Sequence, residues 1–259
     1  TDSINLMVNF RAKISLFMMR RMRRLASRYA HDLDAFRVQE QRFFKRLPMP
    51  RGVQRRYQTI AGLPAVQFIP KRLRQPQKIV LYLHGGGFSC GSIDSYASLM
   101  ARFAKETGMV YVGINYRLAP EHPYPAALED ALAAYHWLLE SGGYAASDIV
   151  VMGDSAGGGL GLALLLRLKE LGQDLPLCAV ALSPWADLAM TGASVVTNER
   201  RDPLLDPAEA GKWARWYAGE LPLDHPLISP LYGDLSGLPP LLLHVGTEEI
   251  LYSDTMQQE

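Results

Sequence analysis

Short runs of uninterrupted apolar residues recur along the chain, separated by longer stretches in which apolar positions fall three and four residues apart. The runs are KIVLYL (Lys78 to Leu83), MVYVGI (Met109 to Ile114), IVVM (Ile149 to Met152), CAVALS (Cys178 to Ser183) and LLLHV (Leu241 to Val245). A strand with one face in water alternates, whereas a strand covered on both faces does not, so these runs predict strands of a buried sheet. The stretches Asp94 to Gly108, Pro125 to Gly142 and Ala156 to Gly172 carry helical spacing and close on glycine, which takes the left-handed conformation that ends a helix. Strand and helix in alternation imply right-handed crossovers, hence an α/β fold with a mostly parallel central sheet and helices on both faces. Upstream, RRYQTI (Arg55 to Ile60) and AVQFI (Ala65 to Ile69), separated by AGLP, predict a two-stranded antiparallel edge.

Two segments break this rhythm. Residues 1–48 are helical in pattern with no strand, and residues 186–222 hold a long loop and one helix around AEAGKWARWYAG (Ala208 to Gly219). Helical additions to an α/β core commonly cover its binding face, so the expected organisation is an N-terminal cap segment, 1–48, and a main domain, 49–259, carrying a cap insertion at about 186–222. No internal repeat and no low-complexity linker interrupts it.

Charge changes this picture little. Lys and Arg number 27 against 26 Asp and Glu, which gives no electrostatic reason to expect a nucleic-acid partner. Locally, Arg11, Lys13, Arg20, Arg21, Arg23, Arg24 and Arg28 occur with no acid among them and with apolar residues interleaved. Two readings stand: a basic amphipathic helix that touches a membrane or partner, or the solvated face of an ordinary helix, which Asp32, Asp34 and Glu40 just downstream favour. No stretch reaches the roughly 18 to 20 apolar residues of a membrane span, and Arg11 and Lys13 interrupt any signal-peptide core. The two cysteines, Cys90 and Cys178, lie in different segments, so neither a disulfide framework nor a metal cluster is expected and a reducing cytoplasm is the default location.

The candidate chemistry sits at two strand ends. Gly153-Asp154-Ser155-Ala156-Gly157 is a G-x-S-x-G sequence between a predicted strand and a predicted helix. There the turn is so sharp that the residues flanking the serine must be small, and the strained turn lifts the hydroxyl above the sheet. The N–H after the serine faces a reacting carbonyl, and the helix N-terminus adds partial positive charge beneath a developing oxyanion. Taken alone, the pattern is equally a turn that packs a helix on a strand. His84-Gly85-Gly86-Gly87 follows another predicted strand and tips that balance: an oxyanion needs at least two preorganised donors, and glycines let backbone N–H groups approach a ligand. A phosphate-cradling loop fits poorly, because neither G-x-x-x-x-G-K-[ST] nor G-x-G-x-x-G is present.

With these residues in view, HGGGF (His84 to Phe88), NYRLAPEHPYPAALEDA (Asn115 to Ala131), GDSAGGGLG (Gly153 to Gly161) and SPWADL (Ser183 to Leu188) resemble the bacterial branch of the hormone-sensitive-lipase-type carboxylesterases. The resemblance runs from about Pro48 to the end of the chain. It implies an α/β-hydrolase core, a helical cap, no cofactor or metal, and hydrolysis of short- to medium-chain acyl esters. By position it makes Ser155 the nucleophile and Gly86, Gly87 and Ala156 the oxyanion donors. Gly85, His84 and Asp154 fall in supporting places.

The family's acid follows the seventh strand in a segment like VGSDEIL. Here VGTEEIL (Val245 to Leu251) puts Glu248 in its place, and a glutamate can orient and charge-stabilise an imidazole as an aspartate does. Asp202 and Asp206 lack a preceding strand, and Glu249 is one residue off position, suited to bonding its loop. The family's histidine lies beyond an eighth strand, and none of the six histidines here (His31, His84, His122, His136, His225 and His244) is placed to replace it. The expectation is therefore a catalytic histidine beyond Glu259, with the last strand and helix missing from the chain as written. Two other functions stay open: a catalytically silent small-molecule receptor on this fold, as in the gibberellin receptors, and an amidase or peptidase. Phe88, Trp185, Trp213, Trp216 and Tyr217 are candidate pocket residues or, equally, core packing. The resemblance also implies a homodimer formed through the final strand.

Overall fold

The computed structural model describes residues 10–257, with the side chains of residues 10 and 11 excepted, so the first nine residues of the N-terminal segment, the Arg11 side chain and Glu259 fall outside the described residues. Two helices come first, α1 (Phe10–Arg28) and α2 (Leu33–Phe44), then the hairpin β1 (Val53–Ile60) and β2 (Leu63–Pro70). The alternating core follows: β3 (Ile79–Leu83), α3 (Ala97–Thr107), β4 (Val110–Ile114), α4 (Ala126–Glu140), β5 (Ile149–Asp154), α5 (Ala156–Glu170) and β6 (Cys178–Leu182). After it come α6 (Ala193–Thr197), α7 (Pro207–Ala218), β7 (Leu241–His244) and α8 (Tyr252–Met256). The seven strands form one sheet in the order β1-β2-β4-β3-β5-β6-β7, parallel from β4 to β7 and antiparallel at β1 and β2.

Both faces of the central strands are buried, which is why their sequences do not alternate. Ile79, Leu81, Leu83, Val112 and Val151 pack with Ala131, Tyr135 and Leu138 of α4 and Leu160 and Leu164 of α5. Val80, Tyr82, Tyr111, Val150 and Met152 turn the other way, onto Met100, Ala101 and Ala104 of α3. That second layer thins beyond β5: Cys178, Val180 and Leu182 are half-buried, and on β7 Leu242 is 61% exposed and His244 is exposed as well. The fully buried strand expected at LLLHV is thus a half-exposed one, because α3 packs over the other end of the sheet.

The register decides where chemistry can be assembled. β3 pairs directly with β5, Leu83 opposite Gly153, so the loop leaving β3 and the turn leaving β5 emerge side by side at the carboxyl edge of the sheet. The N-terminal helices are fastened over that edge. Asp32 caps α2 by accepting from the Ala35 N–H at 2.9 Å. From α2, Arg37 donates to the carbonyls of Ser89 (2.7 Å) and Ala119 (2.9 Å) and forms a bidentate pair with Glu121. From α1, Arg23 donates to the Asp202 carbonyl at 2.6 Å and to the carboxylate of Asp206, the residue that caps α7.

Candidate active site

Ser155 is the single residue between the end of β5 and the start of α5, and its backbone stands at φ 51°, ψ −125°. A non-glycine residue there is strained and persists only where its surroundings dictate it. They do so here: the Ser155 N–H donates to the Leu182 carbonyl at 2.9 Å, and the Ser155 carbonyl accepts from the N–H groups of Trp185 (2.9 Å) and Gly159 (3.0 Å). The need for small residues falls two positions away on either side of the serine. A Cβ on Gly157 would stand 2.5 Å from the His84 carbonyl oxygen, and one on Gly153 would run into the backbone of Gly157. The residue immediately before the serine, Asp154, is not small, which corrects the expectation that the adjacent positions carry that constraint. Ala156 opens α5, so its N–H is among the four that a helix leaves without an intrahelical partner.

The glycine loop meets this turn directly. Gly86 and Gly87 adopt φ of 117° and 58°, values that L side chains rarely take. A Cβ on Gly87 would also collide with the Trp213 indole, by which α7 packs onto the loop. The buried Asp154 carboxylate joins loop and turn, accepting from Tyr82 Oη at 2.7 Å, Tyr96 Oη at 2.9 Å and the Gly85 N–H at 3.1 Å. Burial raises its pKa while these donors oppose the rise; burial, with Asp154 close by, holds both tyrosines well above their usual value, so both remain donors. His84 supports the loop from behind. Its Nδ1 lies 2.8 Å from the Gly85 carbonyl oxygen, its ring stacks on Tyr116 at 4.3 Å, and burial lowers its pKa to about 4, leaving it neutral.

Over the two turns lies a cavity of about 740 Å³. Gly86, Gly87 and Ser155 lie in its floor, and α1, α2, the loop of residues 200–206 and α7 close the other sides. Of the aromatic residues that the sequence offers as pocket candidates, Trp185 and Trp213 line it. Phe88 and Tyr217 do not: both are buried in the core, with ring centroids 3.6 Å apart and planes 5° from parallel, which removes them from the pocket. Trp216 lies beneath the Lys212 ammonium, 4.7 Å away, outside the cavity wall.

Glu248 is exposed and paired with Arg201, Nε to Oε2 at 2.6 Å. Glu249 accepts from the Gly246 N–H at 2.8 Å and so closes its own loop. Asp202 accepts from the N–H groups of Leu204, Leu205 and Ile250, which occupies both of its oxygens. None of the six histidines lines the cavity. Among the described residues no cluster of His, Cys, Asp and Glu is placed to hold a metal, and no helix is long and apolar enough to cross a membrane.

Several positioning residues escape sequence reasoning. Tyr82 is a hydroxyl inside an apolar run, and Tyr96 precedes α3; only the fold turns both onto Asp154. Asp254 accepts from the N–H groups of Ala186 and Asp187 and so fixes the loop that carries Trp185; burial raises its carboxyl to about 7.

Comparison with known proteins agrees with this architecture. Residues 80–258 match a family described as alpha/beta hydrolase fold. The chain is 46% identical over 186 residues to an acetyl-hydrolase of Streptomyces hygroscopicus, a match covering 72% of this chain and 62% of that protein. It is 37% identical over 205 residues to an esterase of Acinetobacter venetianus, covering 74% of this chain and 67% of the other. The chain therefore spans only about two thirds of the length of these relatives. The crystal structure of an esterase from the bacterial hormone-sensitive lipase family superposes with a TM-score of 0.87 at 38% identity, over 94% of this chain and 82% of that one. Sequence and fold agree over most of the chain, and it belongs to the alpha/beta hydrolase fold family, in its hormone-sensitive-lipase-type bacterial branch.

Proposed function

We propose that the chain is a serine carboxylester hydrolase acting on short- to medium-chain acyl esters through an acyl-enzyme on Ser155. The observation that carries this reading is the strained Ser155 in the floor of a cavity beside Gly86 and Gly87. Ser155 Oγ attacks the ester carbonyl, and its proton passes to a base and then to the departing alcohol. The oxyanion is held by the N–H groups of Gly86, Gly87 and Ala156 above the N-terminus of α5. Water then attacks the acyl-enzyme, releases the acid and returns the proton to Ser155. The family resemblance assigns the base to a histidine and its orientation to Glu248, which is free to serve once it parts from Arg201.

Mass spectrometry after treatment with a fluorophosphonate tests the nucleophile: the adduct is expected on the peptide containing Ser155 and on no other serine. Unlabelled Ser155 would overturn the assignment. A second reading is a catalytically silent small-molecule receptor on the same fold. A receptor releases no nitrophenolate from p-nitrophenyl butyrate, whereas a hydrolase releases many equivalents per chain. The same assay with the matched anilide separates an esterase from an amidase.

A further inference from the structure

Six arginines and five acids line the cavity over Ser155, but they differ in how far they are already paired. Arg20, Arg23, Arg24 and Arg28 reach it from α1, and Arg200 and Arg201 from the loop before α7. The acids in its wall are mostly committed elsewhere. Asp154 takes its three donors, Asp202 takes three backbone N–H groups, and Asp206 caps α7 and pairs with Arg23. Glu40 accepts from Ser95 Oγ at 2.9 Å, and burial pushes its carboxyl up to about 7. Glu209 is the one acid of the wall without a hydrogen bond or ion pair among the described residues.

The cations divide differently. Arg23 is spent on Asp206 and two carbonyls, Arg201 on Glu248, and Arg28 lies over the Tyr29 ring at 5.8 Å. Arg20, Arg24 and Arg200 make no hydrogen bond or ion pair among the described residues, and all three are exposed. Arg20, Arg24 and Arg28 stand four residues apart, so they share the face of α1 that looks into the cavity. Like charges at that spacing repel one another, a cost that an anion between them removes. Guanidinium is also the side chain whose planar fork of donors matches a carboxylate or phosphate. The wall also carries apolar side chains, Met22, Phe36, Phe44, Leu205, Trp213 and Leu251.

Resting on the hydrolase reading, we propose that the ester this cavity takes is anionic: its carbonyl lies at Ser155, its apolar middle along α2 and α7, and its remote carboxylate or phosphate at Arg20, Arg24 and Arg200. The rim is open to water, so the preference is moderate and sensitive to salt.

The test uses the full-length protein with Ser155→Ala, in which nothing turns over, and follows the intrinsic tryptophan fluorescence, to which Trp185 and Trp213 in the cavity wall contribute, on titration with matched esters. Monomethyl adipate is compared with dimethyl adipate, and monobutyryl glycerol phosphate with monobutyrin. The anionic member of at least one pair is expected to bind about tenfold more tightly at about 20 mM salt, with the ratio shrinking at about 500 mM. Which pair responds tells carboxylate from phosphate. Adding R20A, R24A and R200A should bring the ratio close to one, while lysine at the same three positions should keep most of it. Equal affinities within both pairs, no binding of either anionic ester, or a preference that survives the triple alanine change or high salt would overturn the proposal. Because binding is read without catalysis, an unlabelled Ser155 would sink the hydrolase reading and leave this result standing.

Discussion

On the floor of the cavity, Asp154 accepts three hydrogen bonds, Ser155 is held in a strained conformation by three backbone contacts, and glycines pass where no side chain fits. On the roof, Arg20, Arg24 and Arg200 make no hydrogen bond among the described residues, and Glu248 and Arg201 meet in solvent. Rigid donors belong where charge develops during a reaction, because dipoles already in place cost no reorganisation. Long exposed cations belong where a remote part of a ligand is read, since their side chains adapt. On the proposed reading, the floor sets a reaction type and the roof selects among molecules that undergo it.

The largest effect that would break this contrast is on the floor. Ser155→Ala should lower ester turnover by roughly a million-fold, as for other serine nucleophiles, while leaving the thermal midpoint close to that of the parent. Steady-state rates and a melting curve check both halves of that statement. Next comes Asp154→Ala, which strips the acceptor from Tyr82, Tyr96 and the Gly85 N–H and should cost on the order of 3 kcal/mol in denaturant unfolding. Turnover should fall with it, since the glycine loop loses its tie to the turn; unchanged turnover would detach Asp154 from the site.

A smaller effect concerns Glu40, a buried carboxyl that α2 brings to the cavity wall. Burial raises the Glu40 pKa from 4.5 to about 7, so between those values the folded chain holds a proton that the unfolded chain has released. Stability from this group is full below about pH 4.5 and declines as pH rises to about 7. Glu40→Gln should therefore be more stable than the parent by on the order of 2 kcal/mol near pH 8, and equal to it near pH 4. A gain independent of pH would mean that Glu40 ionises normally. The smallest effect belongs to the exposed rim, where Arg201→Ala should change stability by no more than about 0.5 kcal/mol, because a solvated ion pair contributes little. A loss of several times that would make the roof as rigid as the floor.

How much of this was legible depended on how local the cause was. KIVLYL, MVYVGI and CAVALS became β3, β4 and β6 to within a residue at either end, because burial on both faces leaves its mark in every position. LLLHV also became a strand, yet Leu242 and His244 on it are exposed, since the reach of α3 across the sheet is not written in the strand itself. The turn at Ser155 and the glycines at 85–87 could be read directly from their local patterns, although the groups that crowd them, Trp213 against Gly87 and His84 against Gly157, come from far along the chain. Among the aromatics, nothing in the sequence separates Trp185 and Trp213, in the cavity wall, from Phe88 and Tyr217, stacked in the core. A large apolar ring satisfies either place. The spacing of Arg20, Arg24 and Arg28 marks one helix face but not what that face looks upon.

The sequence by itself determined the elements, the α/β alternation and the two turns, because strand burial, helix periodicity and glycine's access to positive φ act over a handful of neighbouring residues. Tertiary structure alone decided that β3 lies against β5, bringing Gly85 to Asp154 from 69 residues away. It also decided that α1 turns its arginines over Ser155. Both are choices among long-range pairings of the same elements, settled by which arrangement buries both faces of the sheet and leaves the fewest polar groups without partners.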